Sequence, residues 1–94
     1  MINSFADNDT EALFHGMRPR KLPSELWRRG ARKLWILDAA IDRSELRVPP
    51  GNRLEKLKGD REGQHSIRIN DQWRICFVWR DGNAYQVEIT DYHK

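Results

Sequence analysis

The stretch Trp73-Arg74-Ile75-Cys76-Phe77-Val78-Trp79-Arg80-Asp81-Gly82-Asn83-Ala84-Tyr85-Gln86-Val87-Glu88-Ile89 decides the fold. Trp73, Ile75, Phe77 and Trp79 alternate with Arg74, Cys76, Val78 and Arg80. Tyr85, Val87 and Ile89 alternate in the same way with Gln86, Glu88 and Thr90. A period of two puts every second side chain on one face, so both runs read as strands with one buried face. Asp81-Gly82-Asn83 supplies a short turn between them. Just upstream, His65, Ile67 and Ile69 alternate with Ser66, Arg68 and Asn70, and Asn70-Asp71-Gln72 makes the next turn. Three strands in an antiparallel meander follow, and residues 53 to 57 offer a fourth.

The period changes in the N-terminal half. Ile2 to Phe5 reads as a short strand. Asp7 or Asp9 can cap a helix carrying Glu11 in its first turn, with Ala12, Leu13 and Phe14 as its apolar face and Gly16 as its end. Pro19 marks a turn. A longer helix begins near Pro23, which suits a first helical position. Trp27, Gly30, Leu34, Leu37 and Ile41 recur at three- and four-residue spacing, one apolar stripe, so this helix is expected to end soon after Ile41. Val48-Pro49-Pro50-Gly51 is a clear breaker. The expected architecture is α+β: a short N-terminal strand and two helices packed on an antiparallel sheet of three to four strands, one domain over residues 1–94.

Composition narrows the function. With 94 residues there is room for one core, and 38% hydrophobic with 33% charged residues is globular composition. No apolar run approaches a membrane span, and the opening Met-Ile-Asn-Ser-Phe-Ala-Asp lacks a signal peptide's pattern. A single cysteine, Cys76, fits a reducing compartment, so a cytoplasmic protein is expected. Cys76 with His15, His65 and His93 matches no zinc spacing, and there is no glycine-rich phosphate loop. The net charge is +3, and most of the 17 cations are arginine. Residues 1 to 17 carry only acids, whereas residues 18 to 33 carry Arg18, Arg20, Lys21, Arg28, Arg29, Arg32 and Lys33 against Glu25. Guanidinium grips phosphate through a planar fork, so this block is either a nucleic-acid footprint or a solvated helix face.

The segments Leu57-Lys58-Gly59-Asp60-Arg61-Glu62-Gly63, Ser66-Ile67, Trp73-Arg74-Ile75 and the ending Asp91-Tyr92-His93 carry more information. Together with the opening Met-Ile-x-Ser-Phe and Leu37-Asp38-Ala39-Ala40, they occur in an order and spacing that resembles the HigB-type toxins of the RelE/ParE toxin–antitoxin superfamily. The resemblance covers nearly the whole chain. It implies a RelE/ParE-like fold and a ribosome-dependent mRNA endoribonuclease that uses no metal and no cofactor. The family's reaction is attack of a ribose 2′-hydroxyl on the adjacent phosphate, leaving a 2′,3′-cyclic phosphate and a 5′-hydroxyl. That chemistry needs a base, a cation beside the phosphorane and an acid for the leaving oxygen.

This chain departs from the HigB pattern at one place. A histidine precedes Pro-Leu-Lys-Gly in that pattern, and here the position is Glu55. The related YoeB toxins look similar at this point, with a glutamate taken as the general base. The resemblance therefore implies Glu55 as base, Arg74 as cation and His93 as acid. Tyr92 would stack on a base or donate a hydrogen bond, and Asp91 would orient His93. Lys58, Arg61, Arg68 and Arg53 are the candidate RNA contacts. Each has a plainer reading: Glu55 lies among Arg53, Lys56 and Lys58 and can be a surface ion pair, and a strand arginine on the polar alternation is usually solvated. His65, in line with Ile67 and Ile69, reads as a core or edge histidine, and Cys76 is a poor nucleophile without a paired base.

The resemblance also implies partners: a HigA-like helix-turn-helix antitoxin, the 70S ribosome with its mRNA, and operator DNA only through the antitoxin. Two alternatives stand beside the enzyme. One is a non-enzymatic toxin that, like ParE, inhibits DNA gyrase by binding. The other is a catalytically weak member acting mainly in antitoxin and operator complexes.

Overall fold

The structure, a computed structural model, describes residues 1–91; Tyr92 and His93 lie outside the described residues. Helix α1 spans Asn8–Phe14 and helix α2 spans Ser24–Ala39. Strands β1 (Glu55–Lys56), β2 (His65–Arg68), β3 (Trp73–Arg80) and β4 (Asn83–Asp91) follow. They form one antiparallel sheet in the order β1-β2-β3-β4. No described helix is long and apolar enough to cross a membrane.

The local chemistry explains the boundaries. Asp7 caps α1, its carboxylate accepting from the Thr10 backbone N–H at 2.7 Å. Asp81 and Gly82 both take positive φ, 53° and 78°, and Arg80 pairs directly with Asn83. The hairpin loop is therefore two residues long, the mirror-image turn that matches strand twist. Asn70 Oδ1 accepts from the backbone of Gln72 and Trp73, closing the β2–β3 turn. The Ile2–Phe5 segment pairs with the free edge of β4 through two parallel bridges, Ile2 with Ala84 and Phe5 with Val87, rather than as a regular strand.

The helices cover one face of the sheet. Leu13, Leu26, Leu34 and Leu37 meet Ile67, Ile75, Phe77, Val87 and Ile89, all buried. Burying each such side chain contributes about 1.5–3 kcal/mol. Gly30 lets α1 approach α2, since a Cβ there would sit 3.0 Å from Leu13 Cδ2.

The expected helical stripe fails at one end. Helix α2 stops at Ala39, two residues before Ile41, and Ile41 is 80% exposed. Asp42 and Glu45 form a capping box that starts a separate turn at Arg43–Arg47. Glu45 Oε2 accepts from the N–H groups of both Ile41 and Asp42, which pulls the chain out of the helix, and Leu46 is buried instead. The helix starts at Ser24, with Pro23 as its flanking residue, as expected.

The alternation in β4 fails too. Cys76 pairs with Glu88 but Val78 pairs with Tyr85, so β4 holds one extra residue, and Gln86 has φ 52°. This bulge puts Tyr85 on the opposite face from Val87 and Ile89, and Ala84 is buried near the turn instead. The N-terminal segment accommodates it: Ser4 accepts from Gln86 N through Oγ and from Val87 N through its carbonyl.

Candidate active site

The sheet's other face, away from the helices, holds the candidate site. Strand register places Glu55, Ser66, Cys76 and Glu88 in one row across all four strands, with Arg68, Arg74 and Thr90 in the row beside it. This face is not the simple solvated surface that the alternation suggests: Ser66 and Cys76 are fully buried and Arg74 is only 8% exposed.

Arg74 is held from several directions. Its Nε donates to Ser66 Oγ at 2.8 Å. Its Nη2 donates to the Arg53 carbonyl at 2.6 Å and, more weakly, to the Ser66 carbonyl at 3.4 Å. The same Nη2 lies 3.2 Å from Glu55 Oε1. A buried guanidinium is tolerable only with this many acceptors, and the fork is thereby fixed in place. Glu55 sits on the two-residue β1 and stays 54% exposed, so its carboxylate remains accessible beside the fixed cation.

The carbonyl that holds Arg74 depends on an unusual backbone. The turn Pro50–Asn52 ends at Arg53 in the left-handed region, φ 45° and ψ 59°. Asn52, fully buried, anchors this turn by donating to the carbonyls of Leu46 and Val48 and accepting from Lys33 Nζ. Burial, and then the nearby Arg29, Arg32 and Arg68, hold the Lys33 ammonium below its usual pKa.

The other candidates fall at different distances from this pair. Arg61, in the turn Gly59–Arg61, donates to Glu88 at 3.1 Å and to Gln64 at 3.0 Å. Arg68 is paired with Asp71. Lys58 and the Arg53 residue are exposed. Asp91 lies opposite Trp73 in the register, on the face away from Arg74, and accepts from Gln72 Nε2 at 2.8 Å. His93 and Tyr92 lie outside the described residues. His65 stacks on Phe77, ring centres 6.1 Å apart, as a core-face histidine. Burial pushes the Cys76 thiol up; Glu88 pushes it the same way while Arg61 and Arg74 oppose, so the thiol is no nucleophile at neutral pH. The basic side chains Arg28, Arg29 and Arg32 project from α2, on the helical layer.

Sequence reasoning missed Ser66, Asn52 and the Arg53 carbonyl as parts of the site. Ser66 carries a faint signal: a small hydroxyl at a strand position that faces the arginine of the next strand. The Arg53 carbonyl carries none, since its role rests on backbone conformation.

Comparison with known proteins shows the family and the fold. A family model described as the RelE-like toxin of the type II toxin-antitoxin system HigB matches residues 3–93. The protein "Toxin HigB-1" of Vibrio cholerae is 49% identical, over 100% of this chain and 99% of its own length. The "Endoribonuclease HigB" of Proteus vulgaris is 36% identical over 99% and 100%. Among solved structures, the YoeB-YefM complex from Staphylococcus aureus contains a chain with the same fold, TM-score 0.61 at 22% identity, covering 100% of this chain and 99% of that one. The sheet, its two-helix cover and the match along almost the entire sequence lead to one conclusion: the chain belongs to the RelE-like toxins of the HigB type II toxin-antitoxin systems.

Proposed function

We propose that this toxin is a ribosome-dependent mRNA endoribonuclease, and that Glu55, Arg74 and His93 carry the reaction. The observation that supports this most directly is the Glu55–Arg74 pair: an accessible carboxylate 3.2 Å from a guanidinium fixed by Ser66 and Arg53. In the reaction, Glu55 takes the proton of the ribose 2′-hydroxyl as its oxygen attacks phosphorus. Arg74 stabilises the charge that builds on the phosphoryl oxygens, and the P–O5′ bond breaks. His93 gives a proton to the departing 5′-oxygen. The products are a 2′,3′-cyclic phosphate and a 5′-hydroxyl, and atoms and charge balance with no metal in any step. Proton-transfer groups of this kind are each worth about 10²–10⁴ in rate. Tyr92 stacks on or hydrogen-bonds the substrate, Asp91 orients His93, and Lys58, Arg61, Arg68 and Arg53 contact flanking phosphates.

The partner that neutralises it is an antitoxin, as the family requires, of the HigA-like helix-turn-helix type. The pair reaches operator DNA through that antitoxin, and the toxin acts in the cytoplasm, where the 70S ribosome and mRNA are. The test uses purified protein, programmed ribosomes and end-labelled mRNA, with EDTA-treated naked RNA alongside. Ribosome-dependent cutting with a cyclic-phosphate end, lost in Glu55→Ala, Arg74→Ala and His93→Ala, is the expected result. A folded, antitoxin-binding protein that cuts nothing would overturn the enzyme and point to inhibition by binding.

A further inference from the structure

Glu88 has no part in the reaction above, yet it lies in the same row of the sheet as Glu55, Ser66 and Cys76, on the face that carries Arg74. Its carboxylate accepts from Arg61 Nη1 at 3.1 Å, across 27 residues of sequence, and both side chains are about one-third exposed, 32% and 33%. The same Nη1 also donates to Gln64 Oε1 at 3.0 Å. One end of the guanidinium is thereby clamped, and Nη2 and Nε donate to no other described residue. Those two nitrogens form the edge of the fork that suits a phosphate. Arg61 comes from a three-residue turn between β1 and β2, a short element that cannot by itself fix a long side chain. Glu88 pairs directly with Cys76 in the register, and Arg74 stands two residues before Cys76 on the same face of β3, so the clamped Arg61 end lies on the face that carries Arg74.

We infer that Glu88 is a positioning residue: it holds Arg61 over the sheet face so that a second guanidinium, beside that of Arg74, grips a phosphate next to the one being cut. The inference rests on the proposed function. Glu88 also separates the charges on this face. Glu55 pairs with Arg74 and Glu88 with Arg61, while Arg68 of the same face pairs with Asp71 of the β2–β3 turn.

Substitutions at both positions test the inference in the ribosome cleavage assay, with thermal unfolding as a parallel readout. Glu88→Gln keeps the shape and removes the charge. It is expected to raise the half-saturating ribosome concentration about 3- to 5-fold, the range of a partly exposed ion pair, with kcat nearly unchanged. Arg61→Ala should raise it about 10-fold, and adding Glu88→Ala to Arg61→Ala should add nothing further. The exchanged pair Arg61→Glu with Glu88→Arg separates positioning from stapling. It should recover the melting temperature but not the affinity, because the cation then sits on the wrong strand. Wild-type affinity in Glu88→Gln, or recovered affinity in the exchanged pair, while Arg74→Ala is inactive, overturns this inference alone. A wild-type protein that cuts no mRNA overturns it together with the proposed function.

Discussion

Replacing Ser66 by alanine tests how the candidate site is built. Ser66 is fully buried, and its Oγ accepts from Arg74 Nε at 2.8 Å. The contacts to the Arg53 carbonyl and to Glu55 both use Nη2, so Ser66 Oγ holds the other side of the guanidinium. Ser66→Ala removes a charge-assisted hydrogen bond inside a region where water does not easily replace it. Such a loss costs about 2 kcal/mol. For a domain of this size that corresponds to a melting temperature lower by roughly 10 °C. A fork free to swing on its Nη2 contacts also loses aim, and a displacement of about 1 Å is enough to lower kcat up to about 100-fold. Differential scanning fluorimetry and single-turnover mRNA cleavage on ribosomes read the two effects separately. Ser66→Thr keeps the hydroxyl and should restore most of the rate, while its extra methyl in a filled site costs about 1–3 kcal/mol. An alanine variant with unchanged melting temperature and unchanged cleavage rate would refute the reasoning, because the contacts of Arg74 other than Ser66 Oγ would then suffice to place it.

Three further predictions follow from particular contacts. Arg53→Gly should leave kcat unchanged, because the carbonyl, not the side chain, holds Arg74, and glycine accepts the φ of 45°; a rise in half-saturating ribosome concentration would report the lost side-chain contact with RNA. Burial, then Arg43 and Lys56, hold the His65 imidazole below its usual 6.5, so the folded state resists protonation there. Stability should therefore be full above that value and fall as pH drops from it toward the lowered native pKa; urea midpoints at pH 7.5 and 5 should converge in His65→Phe, which keeps the stack on Phe77. Gly30→Val should destabilise the fold by about 2 kcal/mol in chemical denaturation, since even a Cβ meets Leu13 at 3.0 Å and Ile89 at 3.7 Å, and a stable valine variant would mean that α1 can move away freely.

The strand meander was legible because period-two alternation in residues 73 to 80 depends only on which side chains can leave water, and the turn residues between strands carry their own backbone preference. The boundary of α2 was misjudged at Ile41 because the apolar stripe continues in sequence past the point where Asp42 and Glu45 capture the backbone. Tyr85 was placed on the wrong face for a related reason: one extra residue at Gln86, accommodated by Ser4 from the other end of the chain, inverts everything before it in β4.

Similar logic separates the two halves of the site. Glu55 and Arg74 stand out in the sequence through residue type and through the pattern of segments around them. That the arginine is buried rather than solvated is a tertiary fact, because it needs acceptors from Ser66 and from the backbone of Arg53, residues 8 and 21 positions away. Side-chain type determines which chemistry a chain can perform, and it is written residue by residue. Desolvation and aim depend on groups that meet only when the sheet forms, so the folded structure alone decided that Arg74 stands fixed beside Glu55 and that Arg61 is tied to Glu88.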